Sequence, residues 1–304
     1  MQDKIRQLLT GIQAGDHRLL ARAITIVENE LEGYAGLLRA LRSSGVPNVV
    51  GLTGPPGAGK STLANALLSY WLRSGKKIAV LAVDPSSPFN YGALLGDRIR
   101  MAEFYNHPGA YIRSLASRGA LGGLNAKMIE ITDLVKQGPF DYVLVETVGV
   151  GQSEVEIAGL ADCTVVALVP EAGDEVQTLK AGIMEIADIF VVNKADRENA
   201  ESLYRNLRVL AHEKAEGNDE IPVIKTVATG DIGVEELAKS IAATLEKTKA
   251  LSEKRVQLLT EKSWQLIQNR RMAGLSRTEL RNRLKEQAEQ GDFNLYTFVE
   301  QYLP

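Results

Sequence analysis

The sequence predicts an α/β fold: a mostly parallel sheet flanked by helices, with an N-terminal helical extension and a C-terminal helical arm. Three observations carry that expectation. First, six short apolar runs are rich in Val, Ile, Leu and Ala with little alternation, as strands buried on both faces are. They are Val49–Thr53, Ile78–Val83, Tyr142–Glu146, Thr164–Val169, Ile189–Asn193 and Pro222–Val227. Second, amphipathic stretches lie between them, such as Leu63, Leu67 and Trp71 after the first run, so strands alternate with helices and the sheet reads as parallel. Third, the flanks carry apolar residues at helical spacing. The expected boundaries are 1–46 for the extension, 47–248 for the central domain and 249–304 for the arm.

In the extension, Ile5, Leu8, Leu9 and Ile12 fall on one helical face. Gly15-Asp16 supplies a stop and a new N-cap. Leu20, Ala23, Ile24, Val27 and Leu31 repeat the face, and Leu37, Leu38 and Leu41 suggest a third short helix. Within the domain, Ser61–Ser74 reads as the helix after the first strand. In the arm, Val256, Leu259 and Leu266 share a face, and Trp264 is expected to anchor the helix in its own core or in a dimer interface. Gly274 closes that helix, Ser276-Arg277-Thr278-Glu279 is a capping box opening the next, and Gly291 ends it.

Composition narrows the function. Hydrophobic residues make up 45% and charged residues 24% of 304, an ordinary balance for a chain with a full core. A net charge of −3 gives no sign of general nucleic-acid or anionic-membrane binding. No apolar run approaches the roughly 18 residues that span a bilayer, and the first residues lack a signal-peptide segment, so a cytoplasmic setting is expected. The single cysteine, Cys163, rules out an internal disulfide, and its place beside a buried strand suits packing. His17, His107 and His212 lie far apart and read as surface or structural.

The chemistry sits at the carboxyl ends of the strands, where such sheets bind ligands. Gly54-Pro55-Pro56-Gly57-Ala58-Gly59-Lys60-Ser61 matches G-x-x-x-x-G-K-[ST] at every fixed position, and Thr62 follows in the first helical turn. Glycines let successive N–H groups point at phosphate oxygens, and the next helix aims its positive end at the same place. Lys60 would reach the β- and γ-phosphates and Ser61 would ligate Mg²⁺. The fold is therefore expected to be a P-loop NTPase. Two strands end in acids suited to the magnesium site, Asp84 and Glu146. Gly149, within Glu146-Thr147-Val148-Gly149-Val150-Gly151-Gln152, suits a γ-phosphate sensor because its bare N–H can approach closely. Asp97, read alone, is either a solvated loop acid or a further switch acid. No residue presents itself as a strong general base.

Ile189–Asn193 runs into Asn193-Lys194-Ala195-Asp196, an N-K-x-D pattern. The Asp196 carboxylate can accept from the N1–H and N2–H₂ of guanine, a donor pair that adenine lacks. Lys194 would lay its stem on the purine, Asn193 would brace the neighbouring loops, and Val227, Ala228 and Thr229 would offer N–H groups to the guanine O6. These residues imply GTP/GDP rather than adenine nucleotides.

In combination, Val83-Asp84-Pro85-Ser86-Ser87, the Glu146–Gln152 segment and the N-K-A-D motif resemble the MeaB/ArgK family of GTPases, in the same wider class as signal-recognition and metallochaperone GTPases. The resemblance covers nearly the whole chain. It implies a Mg²⁺-dependent GTP-hydrolysing chaperone for an adenosylcobalamin-dependent acyl-CoA mutase, methylmalonyl-CoA mutase foremost, that gates cofactor loading and protects or reactivates the mutase. It implies a homodimer, joined partly through the arm. By motif match, Asp84, Asp97 and Glu146 become the magnesium and switch acids. The segment holding Asp174, Gln177 and Lys180 becomes a loop that signals between nucleotide and client. Val227 stands where S-A-x loops carry serine. The alternative is a P-loop kinase or ATPase associated with amino-acid transport.

Overall fold

The computed structural model describes residues 2–42, 45–84, 101–116, 127–147, 157–172, 183–213, 220–247, 253–272, 274–289 and 293–302. Contacts divide the chain into two compact units, Met1–Arg255 and Val256–Pro304.

The first unit is built on a parallel sheet of seven strands. They are β1 (Asn48–Thr53), β2 (Ile78–Asp84), β3 (Ala110–Ala116), β4 (Tyr142–Glu146), β5 (Cys163–Leu168), β6 (Ile189–Asn193) and β7 (Val223–Thr226). Their order is β3-β2-β4-β1-β5-β6-β7. The chain leaves β1 toward β2 on one side, whereas β4 and β5 send their connections the other way. A crevice therefore opens at the carboxyl ends around β1, the place where such sheets take ligands.

The sequence missed β3. Its centre, Ile112-Arg113-Ser114, is only half-buried because β3 is an edge strand, so the uniformly apolar signature of the inner strands is absent. By contrast β5 and β6 are buried at every residue. Their side chains alternate between two cores: Ile189 and Val191 face one, Phe190 and Val192 the other.

Helices cover both faces. Among the described residues of this unit the α-helices are α1 (Gln2–Gln13), α2 (His17–Glu28), α3 (Tyr34–Arg39), α4 (Lys60–Arg73), α5 (Met128–Val135), α6 (Ile183–Ile186), α7 (Ala200–Glu213) and α8 (Val234–Lys247). Helices α4 and α8 pack together over one face, where Leu63, Leu67, Leu237 and Ile241 are fully buried. On the other face α2 lies on α5 and shares its core through Leu20, Ile24 and Val27. The N-terminal helices are thus part of the sheet's own core. Asp16 caps α2 as expected, accepting from the Arg18 and Leu19 N–H groups at 2.8 and 3.0 Å. The helix stops at Glu28, however, and Leu31 lies outside it, 47% exposed.

The first residue of α2, His17, seats its ring edge-on against Tyr111 and stacked on Phe140, with centroids 5.3 and 6.2 Å away. Burial holds the imidazole below its ordinary 6.5, against the pull of Asp16. Burial likewise pushes the Tyr111 phenol up to about 12.

In the second unit, α9 (Glu253–Met272) is followed by α10 (Arg277–Glu289), whose cap is the expected Ser276 hydroxyl accepting from Glu279 N–H at 3.4 Å. A short α11 (Leu295–Glu300) buries Phe298 against Phe293 and Tyr302. Of the two anchoring places expected for Trp264, the arm's own core is not the one: the side chain is 61% exposed. Ile267 and Met272 are exposed as well. Gly291, expected to end α10, lies outside the described residues.

Candidate nucleotide site

The phosphate loop follows from local backbone chemistry. Thr53 ends β1, and Gly54 takes φ 140° with its α-carbon against the neighbouring strand. A Cβ there would lie 2.0 Å from the Ala167 carbonyl oxygen, so only glycine fits. The turn continues through Pro55, Pro56, Gly57 and Ala58, with Ala58 N–H donating to the Pro55 carbonyl at 3.2 Å. Gly59, at φ 79°, starts α4, and Leu63 N–H donates back to its carbonyl at 2.9 Å. Lys60 opens the helix and is buried, with its Nζ donating to the Gly54 and Pro55 carbonyls at 2.9 and 3.0 Å. Ser61 and Thr62 follow, both half-buried in the first turn.

One strand away, the Ser61 hydroxyl donates to Oε1 of buried Glu146 at 2.6 Å. The pairing Leu52–Glu146 between β1 and β4 sets this acid beside the loop. Asp84 closes β2, two residues beyond the pair Ala82–Glu146, so its backbone ends on the same edge. Among the described residues no cluster of three or more His, Cys, Asp or Glu gathers. Hydroxyl and carboxylate oxygens at this spacing suit a hard cation that takes its remaining ligands from water and phosphate, which is the habit of magnesium. Asp97, Gly149, Asp174, Gln177 and Lys180 lie outside the described residues.

The base-reading segment is bound to the phosphate loop through the side chain of Asn193. Asn193, 2% exposed, donates from Nδ2 to the Ala58 carbonyl at 2.9 Å. Its Oδ1 accepts from the Thr226 hydroxyl at 3.0 Å and from Ala228 N–H at 3.4 Å. A Cβ on Gly59 would stand 2.5 Å from Asn193 Nδ2 and 3.9 Å from Lys194 Cε. Lys194 is therefore held over the start of α4, helped by its left-handed φ of 55°. Ala195 N–H donates to the Thr226 carbonyl at 3.0 Å, and Asp196 is exposed next to it. The Val227 N–H is engaged with the Ile232 carbonyl at 3.0 Å, and the 3₁₀ turn Ala228–Gly230 carries Thr229 at the surface.

Comparison with known proteins agrees with this geometry. Residues 20–279 match the family described as methylmalonyl Co-A mutase-associated GTPase MeaB. The chain belongs to that family. A Pyrococcus horikoshii protein is 46% identical over 259 residues, covering 83% of this chain and 82% of its own. GTPase ArgK of Escherichia coli is 39% identical over 213 residues, 68% of this chain and 63% of that protein. A crystal structure described as LAO/AO transport system kinase is 25% identical with a TM-score of 0.70, covering 99% of this chain and 97% of that one. As a MeaB-family member the chain is a GTP-hydrolysing P-loop protein that binds GTP, GDP and Mg²⁺.

Two contacts of the site were not assigned from the sequence, although Thr147 stands inside the Glu146–Gln152 segment. Thr226 supplies the hydroxyl that holds Asn193, and Thr53 meets Thr147 through their hydroxyls at 3.0 Å. For Thr226 and Thr53 the signal available is a threonine at the end of a buried strand, and many strands end so.

Proposed function

We propose that this chain is a nucleotide-gated chaperone of an adenosylcobalamin-dependent acyl-CoA mutase, with residues 54–62 cradling the phosphates of GTP. The observation that carries the reading is Asn193, whose amide joins the phosphate loop to the base-reading loops in a family that couples GTP hydrolysis to a mutase. Lys60 would exchange its two carbonyl partners for β- and γ-phosphate oxygens. Ser61 and Glu146, with Asp84, would hold magnesium, which when bound neutralises developing phosphate charge. Asp196 accepts from the guanine edge while Lys194 covers its face. Val227 N–H already donates to the Ile232 carbonyl and Ala228 N–H to Asn193 Oδ1, so Thr229 is the residue of this segment offered to the guanine O6.

The remaining roles follow family resemblance: Asp97 orients the attacking water, Gly149 senses the γ-phosphate, and Asp174, Gln177 and Lys180 signal to the client. Homodimerisation through residues 249–304 belongs to the same proposal, and the exposed Trp264, Ile267 and Met272 support it. The mouse relative described as methylmalonic aciduria type A homolog, 42% identical over 207 residues, supports a client in methylmalonyl chemistry. The test is GTP turnover with and without such a mutase. Stimulation, with different mutase affinity in the GDP and GTP states, is expected because linkage makes the two effects reciprocal. Transfer of labelled phosphate to an acceptor instead of water would favour the kinase reading. No change in rate and no nucleotide-dependent binding would refute the chaperone.

A further inference from the structure

We infer that Thr53 and Thr147 are positioning residues for GTP hydrolysis, a crossbar that holds the phosphate loop and the magnesium acid in one register. The inference rests on the assignment of Ser61 and Glu146 to the metal made above. Backbone register between β1 and β4 runs to Leu52–Glu146, and one further bond, Thr147 N–H to the Leu52 carbonyl at 3.1 Å, continues it. The two threonine hydroxyls then meet at 3.0 Å, with residue exposures of 0% and 1%.

Their position in the chain gives the contact its consequence. Thr53 directly precedes Gly54, which is wedged against the Ala167 carbonyl, and Thr147 directly follows Glu146. Alternation along the strands puts Leu52 and Leu144 in the core beneath α4 and Val49, Val143 and Val145 in the opposite one. Glu146 therefore faces α4 and Ser61, while the threonine pair lies on the other side of the sheet. The end of β4 is thereby held from both faces, to the first turn of α4 by the 2.6 Å Ser61–Glu146 contact and to the end of β1 by the 3.0 Å hydroxyl pair.

Burial does not call for hydroxyls here. Two valines would fill the same space, and replacing both partners of a buried hydrogen bond by apolar groups of equal shape is close to neutral for stability. What the hydroxyls add is direction, fixing the slide of one strand end along the other. Magnesium tolerates little slide, since it demands near-ideal octahedral contacts.

The experiment is steady-state GTP hydrolysis as a function of Mg²⁺, with thermal unfolding, on the full chain and five variants: Thr53→Val, Thr147→Val, the double valine variant, Thr147→Ser and Ser61→Ala. Each single valine change strands one buried hydroxyl, so it lowers both stability and kcat. The double variant regains the stability but not the rate. Its kcat stays about tenfold down, within the range that misplacement of reacting groups costs. The half-saturating Mg²⁺ concentration rises in all three, with KM for GTP changed less than threefold. Thr147→Ser keeps the hydroxyl and the native rate.

Recovery of kcat together with stability in the double variant would overturn the crossbar, as would an unchanged Mg²⁺ requirement or a serine variant as slow as the valine one. Ser61→Ala separates the two levels. Native Mg²⁺ dependence in that variant refutes the metal assignment itself, whereas a strong Ser61 effect with unmoved threonine variants refutes only the crossbar.

Discussion

Replacing Asn193 by alanine removes a side chain that joins the phosphate loop to both base-reading loops. The native amide orientation follows from its partners, since only the NH₂ can face the Ala58 carbonyl and only the oxygen can accept from Thr226. Each of these two buried bonds contributes about 1 kcal/mol, and stranding buried polar partners adds about 1–3 kcal/mol more. A loss near 3 kcal/mol corresponds to a fall of about 6–12 °C in Tm for a cooperative unit of this size. The assay is thermal unfolding of the full chain without nucleotide, compared with Asn193→Asp. That variant keeps the acceptor for Thr226 but turns an oxygen toward the Ala58 carbonyl, so its loss is expected to be larger. Affinities for GDP and GTP fall together in both variants, because the bracing lies beneath the base and not at the γ-phosphate. A Tm shift under about 2 °C in Asn193→Ala, or an aspartate variant as stable as the native chain, would refute the reasoning.

Two further outcomes are expected. Asp196→Asn reverses the donor–acceptor pattern offered to the base, so it weakens GTP binding and favours xanthosine triphosphate; unchanged GTP affinity would remove Asp196 from the base site. The unfolded chain takes up a proton on His17 more readily than the fold does, since burial lowers the folded value below 6.5. The stability linked to this group is complete above pH 6.5 and is lost as pH falls below it. His17→Phe keeps the stacking on Tyr111 and Phe140, so its Tm declines less than that of the native chain between neutral and mildly acidic pH. Parallel pH profiles would show that this histidine titrates freely.

The phosphate loop was legible because its demands are local. Gly54 and Gly59 need backbone angles and close approaches that leave a mark at fixed spacing, and Lys60 and Ser61 follow from the helix that must start there. The inner strands were legible for a similar reason, since burial on both faces leaves an unbroken apolar run. Asn193 and Glu146 were placed at strand ends by the same runs. What the sequence by itself determined is therefore the kind of fold, the nucleotide class and the candidate residues of its site.

Tertiary structure decided which of those residues hold one another. Asn193 meets Ala58 across 135 positions, and Thr53 meets Thr147 across 94. Those contacts depend on the order of strands in the sheet, which periodicity along the chain does not record. The edge strand β3 escaped notice because its half-buried centre admits Arg113 and Ser114, and a strand of mixed polarity is recognised only by the neighbour to which it pairs. Trp264 was left between two places, the arm's own core and a dimer interface, for the complementary reason. An aromatic residue in a helix promises burial, but only the surrounding packing says whether a core is there to receive it.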